Sequence, residues 1–391
     1  MTTSGKKIAI FSALYAPSVG GVEKYTENLA RSLAQRGCAV TVATSRIDES
    51  PSREAVADGV EVLRLPARSL LGGRLPLSRK NGEHAGLLQE LQEWAPDYVI
   101  VNTRFYAHSL VGLDFARRLG VRPVLIEHGS AYLTLGNPLA DAVLRGYEHA
   151  MTRRVRRYGP ACYGVSQRAS EWLGHFGLPS EGVLSNAIDA AAFRRRSSGR
   201  NFRKELGIDD GVMAVALVGR LMPEKGVGAL LEAARRVAGD RSIVFIVAGD
   251  GPEAEAVEGA ALSNLFTTGI LDAGDVSALL SCSDVFLLPS RSEGFATSLL
   301  ESASWGLPAL ATEVGGAREV LGGGAERLLL EDATADSIVA ALRWAKDHRE
   351  ELGALGASSR ERVEANYTWE ETARLAEAAC ARANGLERDA R

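Results

Sequence analysis

Val285-Phe286-Leu287-Leu288-Pro289-Ser290-Arg291-Ser292-Glu293-Gly294-Phe295-Ala296-Thr297-Ser298-Leu299-Leu300-Glu301 reads as a strand, a turn and a helix. Four apolar residues in a row, closed by Pro-Ser, suit a strand buried on both faces. The helix that follows starts with free backbone N–H groups, which attract anions. Glu293 and Glu301 bracket that start, roughly 10–12 Å apart at a rise of ~1.5 Å per residue. Two carboxylates around an anion site suit a ligand with hydroxyls on both sides of its charge. A diphosphate with a sugar at one end and a ribose at the other has that form.

Outward from this segment the same alternation continues. Strands are expected at Lys7–Phe11, Ala39–Ala43, Val60–Leu65, Tyr98–Val101, Val124–Glu127, Cys162–Val165 and Gly182–Leu184. A second set is expected at Met213–Val218, Ile243–Ala248, Leu265–Thr267, Val285–Leu288, Ala309–Ala311 and Arg327–Leu329. Amphipathic helical segments fall between them, which implies parallel sheets covered on both faces. Arg194-Arg195-Arg196-Ser197-Ser198-Gly199-Arg200 is polar, lacks periodicity and reads as a linker. The fold class is α/β, with two Rossmann-like α/β/α domains facing across a cleft. The domains are 1–190 and 191–365, followed by a helical tail over 366–391.

A chain of 391 residues suits two cores better than one. With 46% hydrophobic and 24% charged residues, the composition is that of a globular protein. No apolar run reaches the ~18 residues of a membrane span, and the short run after Lys6-Lys7 reads as a first strand rather than a signal peptide. Cys38, Cys162, Cys282 and Cys380 lack metal-ligand spacing and read as reduced thiols of a cytoplasmic protein. Residues 1–200 hold 26 Lys and Arg against 18 Asp and Glu, a surplus of eight positive charges. The remainder holds 19 against 31, a surplus of twelve negative ones. The basic half is expected to meet a surface or partner, or else to carry only solvated helix faces.

Several further motifs stand in order: Gly20-Gly21-Val22-Glu23, Glu127-His128-Gly129, Gly219-Arg220-Leu221-Met222-Pro223-Glu224-Lys225-Gly226, Ala248-Gly249-Asp250-Gly251-Pro252, and Val314-Gly315-Gly316 with Glu319. Together with Glu293 and Glu301, seven intervening residues apart, they resemble the retaining glycosyltransferases of GT-B fold, the large family-four (group 1) type. The likeness spans some three hundred residues. One departure is Asn186-Ala187-Ile188-Asp189, where the family often has glycine at the second position. Alanine is costlier than glycine at positive φ, so that turn is expected to differ.

The resemblance implies transfer of a sugar from a nucleoside-diphosphate sugar to a hydroxyl acceptor, in glycan, polysaccharide or glycolipid synthesis. His128, Glu293, Arg220 and Lys225 are the expected catalytic set. His128 approaches the donor sugar, Glu293 binds sugar hydroxyls, and Arg220 and Lys225 offset the diphosphate charge. Donor binding is expected from Gly20, Gly21, Gly219, Gly269, Ile270, Gly294, Phe295, Ala296 and Glu301. Phe295 and Ala296 supply backbone N–H groups to phosphate. Glu301 accepts from two ribose hydroxyls, and Gly269-Ile270 meets the base through its backbone. Glu23 is an acceptor-side carboxylate or a charge at a helix start. No Asp-x-Asp occurs, so no metal and no cofactor beyond the donor substrate is expected. The tail is expected to cross back onto the first domain.

Partners follow: a nucleotide-sugar donor, a carbohydrate or lipid-linked acceptor, and no nucleic acid. The basic stretch Arg153-Arg154-Val155-Arg156-Arg157 would bring the enzyme to an anionic membrane at its inner face, or is a solvated face. Arg64, Arg68, Arg74, Arg79 and Lys80 would add to it or form an acceptor loop. A sugar-nucleotide epimerase of the same fold and a non-catalytic nucleotide-sugar-binding module remain as alternatives. Neither base, sugar nor acceptor is legible.

Overall fold

The computed structural model describes residues 5–70, 75–134 and 136–385, so Arg74 lies outside the described residues. The chain divides into two compact units, Met1–Asn186 with Trp369–Arg391, and Ala187–Thr368.

The first unit carries strands β1 (Lys7–Phe11), β2 (Ala39–Arg46), β3 (Arg53–Ala57), β4 (Val60–Leu70), β5 (Leu75–Ser78), β6 (Tyr98–Asn102), β7 (Val124–Glu127), β8 (Ala161–Gly164) and β9 (Ser180–Val183). They form one sheet in the order β3-β4-β2-β1-β6-β7-β8-β9, with β5 added to β4. Every pairing is parallel except those of β3 and β5 with β4. Ile8, Ala9, Ile10 and Phe11 of β1 are wholly buried, as a central strand covered on both faces must be. The helix Ala107–Leu119 lies so close to β1 that a Cβ on Gly112 would stand 2.6 Å from Phe11 Cγ. Winding reverses between β1 and β6. Open parallel sheets take their ligands at that point, beyond the carboxyl ends of the strands.

In the second unit, β10 (Met213–Val218), β11 (Ile243–Ala248), β12 (Leu265–Gly269), β13 (Val285–Leu288), β14 (Ala309–Thr312) and β15 (Leu329–Leu330) are all parallel. Their order is β12-β11-β10-β13-β14-β15, so winding reverses between β10 and β13. The segment quoted first supplies β13 and the turn at that reversal.

Three local expectations differ. The antiparallel strands β3 and β5 lack an apolar run that would mark them. Arg327 lies in the short helix Ala325–Leu328, which leaves only Leu329–Leu330 to the edge strand. The stretch read as a linker is folded into the second unit: Arg194 lies in the last turn of the helix Ala190–Arg195 and donates to Ser304 O and Glu364 Oε1, each at 2.6 Å. Arg200 pairs with Glu205 and Asp275. The pairs with Glu364 and Asp275 join it to distant residues, which periodicity cannot reveal. At Asn186-Ala187-Ile188-Asp189 the chain does not place Ala187 at positive φ. Asp189 instead caps the next helix through Ala192 N–H at 2.8 Å.

The final helix, Trp369–Ala383, belongs to the first unit. Trp369 packs edge-on against Tyr25 at 5.5 Å, Glu377 pairs with Arg36 at 3.3 Å, and Thr372 Oγ1 donates to Ser185 O at 3.1 Å.

Candidate active sites

In the second unit, two loops meet where the winding reverses. One leaves β10 through Gly219 and Arg220 to a 3-10 turn, Pro223–Lys225. The other leaves β13 through Pro289 to Ala296. Arg291 N–H donates to Glu224 O at 2.7 Å and ties the loops together. Gly226 has φ +75°, and a Cβ there would run into Pro289 O, so only glycine lets the loops approach this closely. Lys225 Nζ lies 2.5 Å from Glu293 Oε1, which also accepts from Ser290 Oγ at 2.8 Å. The Glu293 side chain is 11% exposed and Lys225 30%. Ser290 is itself held through its carbonyl by the buried hydroxyl of Thr312. Arg220 is exposed at the exit of β10 and pairs with no carboxylate among the described residues.

The helix Thr297–Ser304 starts at Ala296 with no side-chain cap. Glu301 stands half-buried within it. Ala296 N–H donates to Gly315 O at 3.3 Å, so this amide, expected to face phosphate, already has a partner. Gly315 and Gly316 follow β14, both at positive φ. A Cβ on Gly316 would stand 2.5 Å from the Phe295 ring, and one on Gly315 as close to Glu293 Cβ. The glycine pair thus lets the post-β14 loop close onto the Glu293–Phe295 step. Gly294 sits between them. At the end of β12, Gly269 O accepts from Gly249 N–H at 2.8 Å, and Ile270 is 76% exposed.

In the first unit, Gly20 is the N-cap of the helix Gly21–Gln35 and has no side-chain cap bond of its own. Glu23 stands at the third helical position and folds its carboxylate back over Gly20, where a Cβ would collide with it. That is the placement of a capping-box glutamate. Burial raises its pKa above the usual carboxylate range. An anion at Gly20 and Gly21 would therefore meet this carboxylate first.

His128 follows β7 and is half-buried. Its Nε2 lies 3.0 Å from Asn102 Oδ1, and its ring meets Tyr25 edge-on at 4.7 Å. Asn102 Nδ2 donates to Thr26 Oγ1 at 2.8 Å, which leaves Oδ1 as the acceptor and requires the proton on His128 Nε2. Burial lowers the His128 pKa to about 3. The ring is thus a neutral imidazole with Nδ1 carrying the lone pair.

Sequence reasoning missed Asn102, Arg104 and Glu148, and quoted Glu127 only as part of a motif. Arg104 is buried. It donates to Glu127 Oε2 at 3.0 Å and Glu148 Oε2 at 2.7 Å, and its guanidinium lies 3.9 Å from the Phe176 ring centre. Asn102-Thr103-Arg104 sits where the buried strand β6 ends, and that position was the available signal.

Residues 19–192 match the family described as Glycosyltransferase Family 4, and residues 199–362 match Glycosyl transferases group 1. The chain belongs to the group 1 glycosyltransferases. It is 24% identical to the GDP-mannose-dependent monoacylated alpha-(1-6)-phosphatidylinositol monomannoside mannosyltransferase of Corynebacterium glutamicum, over 94% of this chain and 96% of that one. Its fold is similar to sucrose-phosphate synthase from Thermosynechococcus elongatus, with TM-score 0.74, 18% identity, and coverage of 98% and 100%. It is also similar to Anabaena HepE in complex with UDP and glucose, with TM-score 0.68, 16% identity, and coverage of 96% and 100%. The fold is GT-B, and the family sets aside the epimerase reading.

For this glycosyltransferase the lowered His128 pKa has a direct consequence. The folded value lies below the ordinary 6.5, so the unfolded chain binds the extra proton first. The stability tied to a neutral His128 is complete above about pH 6.5 and is lost as pH falls toward 3. In the folded enzyme the His128 ring resonances should stay unchanged from pH 8 to 5. Titration near pH 6.5 would show that the ring is solvated and ordinary.

Proposed function

We propose that the enzyme moves a sugar from a nucleoside-diphosphate sugar to a hydroxyl acceptor with retention of anomeric configuration, in glycan or glycolipid synthesis. The observation that supports this most is the Lys225–Glu293 pair at the winding reversal of the second sheet, with Arg220 exposed on the same loop as Lys225. In this reading Arg220 and a Lys225 turned from Glu293 meet the diphosphate, and Glu293 takes sugar hydroxyls. Glu301 takes the ribose, and Gly219, Gly269, Ile270, Gly294, Phe295 and Ala296 line the nucleotide. Phosphate reaches the helix start through amides other than that of Ala296. Gly20 and Gly21 approach the donor, Glu23 serves the acceptor, and neutral His128 serves the sugar.

As the sugar C1–O bond to phosphate breaks, charge grows on the leaving diphosphate, so contacts to Arg220 and Lys225 strengthen in the transition state. The acceptor oxygen bonds C1 on the same face, and its proton passes to the donor's own phosphate oxygen. The site's positive charge comes from side chains and a helix start, so activity should persist in excess EDTA. Complete loss there, restored by Mg²⁺ or Mn²⁺, would contradict the charge argument. Radiolabel transfer from UDP-, GDP- and ADP-sugars to added acceptors tests the donor class. An α-linked donor should give an α-linked product by NMR, and a β-linked one ends the retaining assignment.

A peripheral membrane contact has its own observation. Leu139 and Val143 are 82% and 74% exposed on the helix Pro138–Arg156. Gly146, Ala150, Arg153 and Arg157 continue their stripe at intervals of three or four residues, all exposed. Apolar side chains in line with arginines suit an anionic bilayer surface, worth about 1 kcal/mol per basic residue. Among the described residues no helix is long and apolar enough to cross a membrane. The enzyme should sediment with anionic vesicles at low salt and leave them as salt rises. Replacing Arg153, Arg154, Arg156 and Arg157 by Glu should abolish this without touching donor binding. A wild type that ignores such vesicles removes the lipid-linked acceptor from the proposal.

A further inference from the structure

Two residues that flank Thr103 at the end of β6 each reach His128 by a different route. Asn102 holds the imidazole directly, Oδ1 to Nε2 at 3.0 Å. Arg104 holds the main chain around it. Glu127 Oε2 accepts from Arg104, while Glu127 Oε1 accepts from Gly129 N–H at 3.0 Å. One carboxylate therefore closes over the backbone of His128 and joins the residues before and after it. Beyond Arg104, Glu148 repeats the device: Oε2 accepts from the guanidinium, and Oε1 accepts from Leu133 N–H at 2.9 Å. Both ends of the segment 129–133 are thus pinned to carboxylates that share one guanidinium.

All three charged side chains are at most 1% exposed. Burying such a triad rarely adds stability over apolar groups of the same volume, so fold stability alone does not account for it. Thr103 adds a second sign of constraint. It holds φ +63°, unusual for a β-branched residue, and its hydroxyl is buried without a partner. Within the segment, the Tyr132 hydroxyl lies 2.8 Å from His149 Nε2 and 2.6 Å from His175 Nε2.

We infer that Arg104, acting through Glu127 and Glu148 on the backbone that carries it, is a positioning residue that sets the tautomer-bearing His128 ring for glycosyl transfer. The effect on turnover rests on the function proposed above. The effect on the ring does not. A lysine would not replace Arg104, because a point charge cannot span two carboxylates as a planar fork does.

The test uses the full chain with Arg104→Met, Glu127→Gln and Glu148→Gln together, since Arg104→Met alone strands two buried carboxylates. Glutamine keeps an oxygen for each pinned amide. With no guanidinium to hold the two glutamines in place, the 127–129 backbone should shift and carry the ring off Asn102, so imidazole nitrogen shifts should report a single Nε2–H tautomer for His128 in the wild type and a mixture of tautomers in the triple variant. Turnover should fall at least tenfold with donor KM changed less than twofold. In a His128→Ala background the same three substitutions should cost less than a further twofold, because the effect runs through that ring. A wild-type tautomer with wild-type turnover in the triple variant overturns the inference. So does an undiminished tenfold loss in the His128→Ala background, which would mark a merely structural triad. If no sugar is transferred by any form, the functional proposal fails, while the tautomer readout still decides the positioning.

Discussion

Arg220→Ala and Lys225→Ala should each lower turnover about 100- to 1000-fold, the cost of removing a preorganised donor from a developing negative charge. Arg220 stands exposed at the exit of β10, with no carboxylate partner among the described residues. Lys225 stands on the 3-10 turn tied to the β13 loop by the Arg291–Glu224 backbone bond. Both residues stand on the short loop that leaves β10 at the reversal point of the sheet, where an anionic ligand would bind. The fold should hold, because Lys225 is partly exposed and such pairs contribute about 1 kcal/mol at most. Melting temperature should fall by no more than about 2–4 °C. Single-turnover assays with the donor found by label transfer would measure the effect. Near-normal turnover in both variants would remove the phosphate clamp from this loop.

Arg104→Met should destabilise the first unit by about 3–5 kcal/mol, among the largest effects available to a single substitution here. The loss has a specific cause. Glu127 and Glu148 remain buried with one guanidinium's charge gone. Burial already raises the Glu148 pKa, against the Leu133 N–H and Arg104 that lower it. Without Arg104 the Glu148 carboxyl is driven further toward protonation, and folding becomes linked to proton uptake. The urea midpoint should drop by about 1 M or more. It should recover in part in the variant that also carries Glu127→Gln and Glu148→Gln, where no charge is left stranded. Equal midpoints for the single and triple variants would show that the guanidinium, and not the stranded carboxylates, carries the stability.

The Ala296 result shows where local reasoning stops. A helix start following Gly294-Phe295 was legible, and the structure begins the helix at Thr297. The availability of one amide was not, because Gly315, from a loop nineteen positions on, bonds to it. The same holds for Lys225 and Glu293, expected at the diphosphate and at the sugar of one ligand, which lie in contact with each other. Charge type and strand-end position mark a residue as part of a site. Pairing within the site depends on which loops the sheet order makes neighbours.

Sequence by itself determined the class of fold and the family. Buried parallel strands read as unbroken apolar runs, and those of β1, β7, β10, β11 and β13 match their expected bounds. The Glu293–Glu301 motif and its companions carry the family in residue order alone. Tertiary structure decided what no window of sequence contains. It ordered the arginine-rich stretch after Asp189 through Glu364 and Asp275. It also fixed the His128 proton through Asn102 and Thr26, and joined Arg104 to Glu127 and Glu148. Each of these is a polar contact between residues far apart in the chain. Such contacts leave no periodic trace, because their energy depends on direction and desolvation, whereas the apolar runs announce themselves through burial, which depends mainly on area.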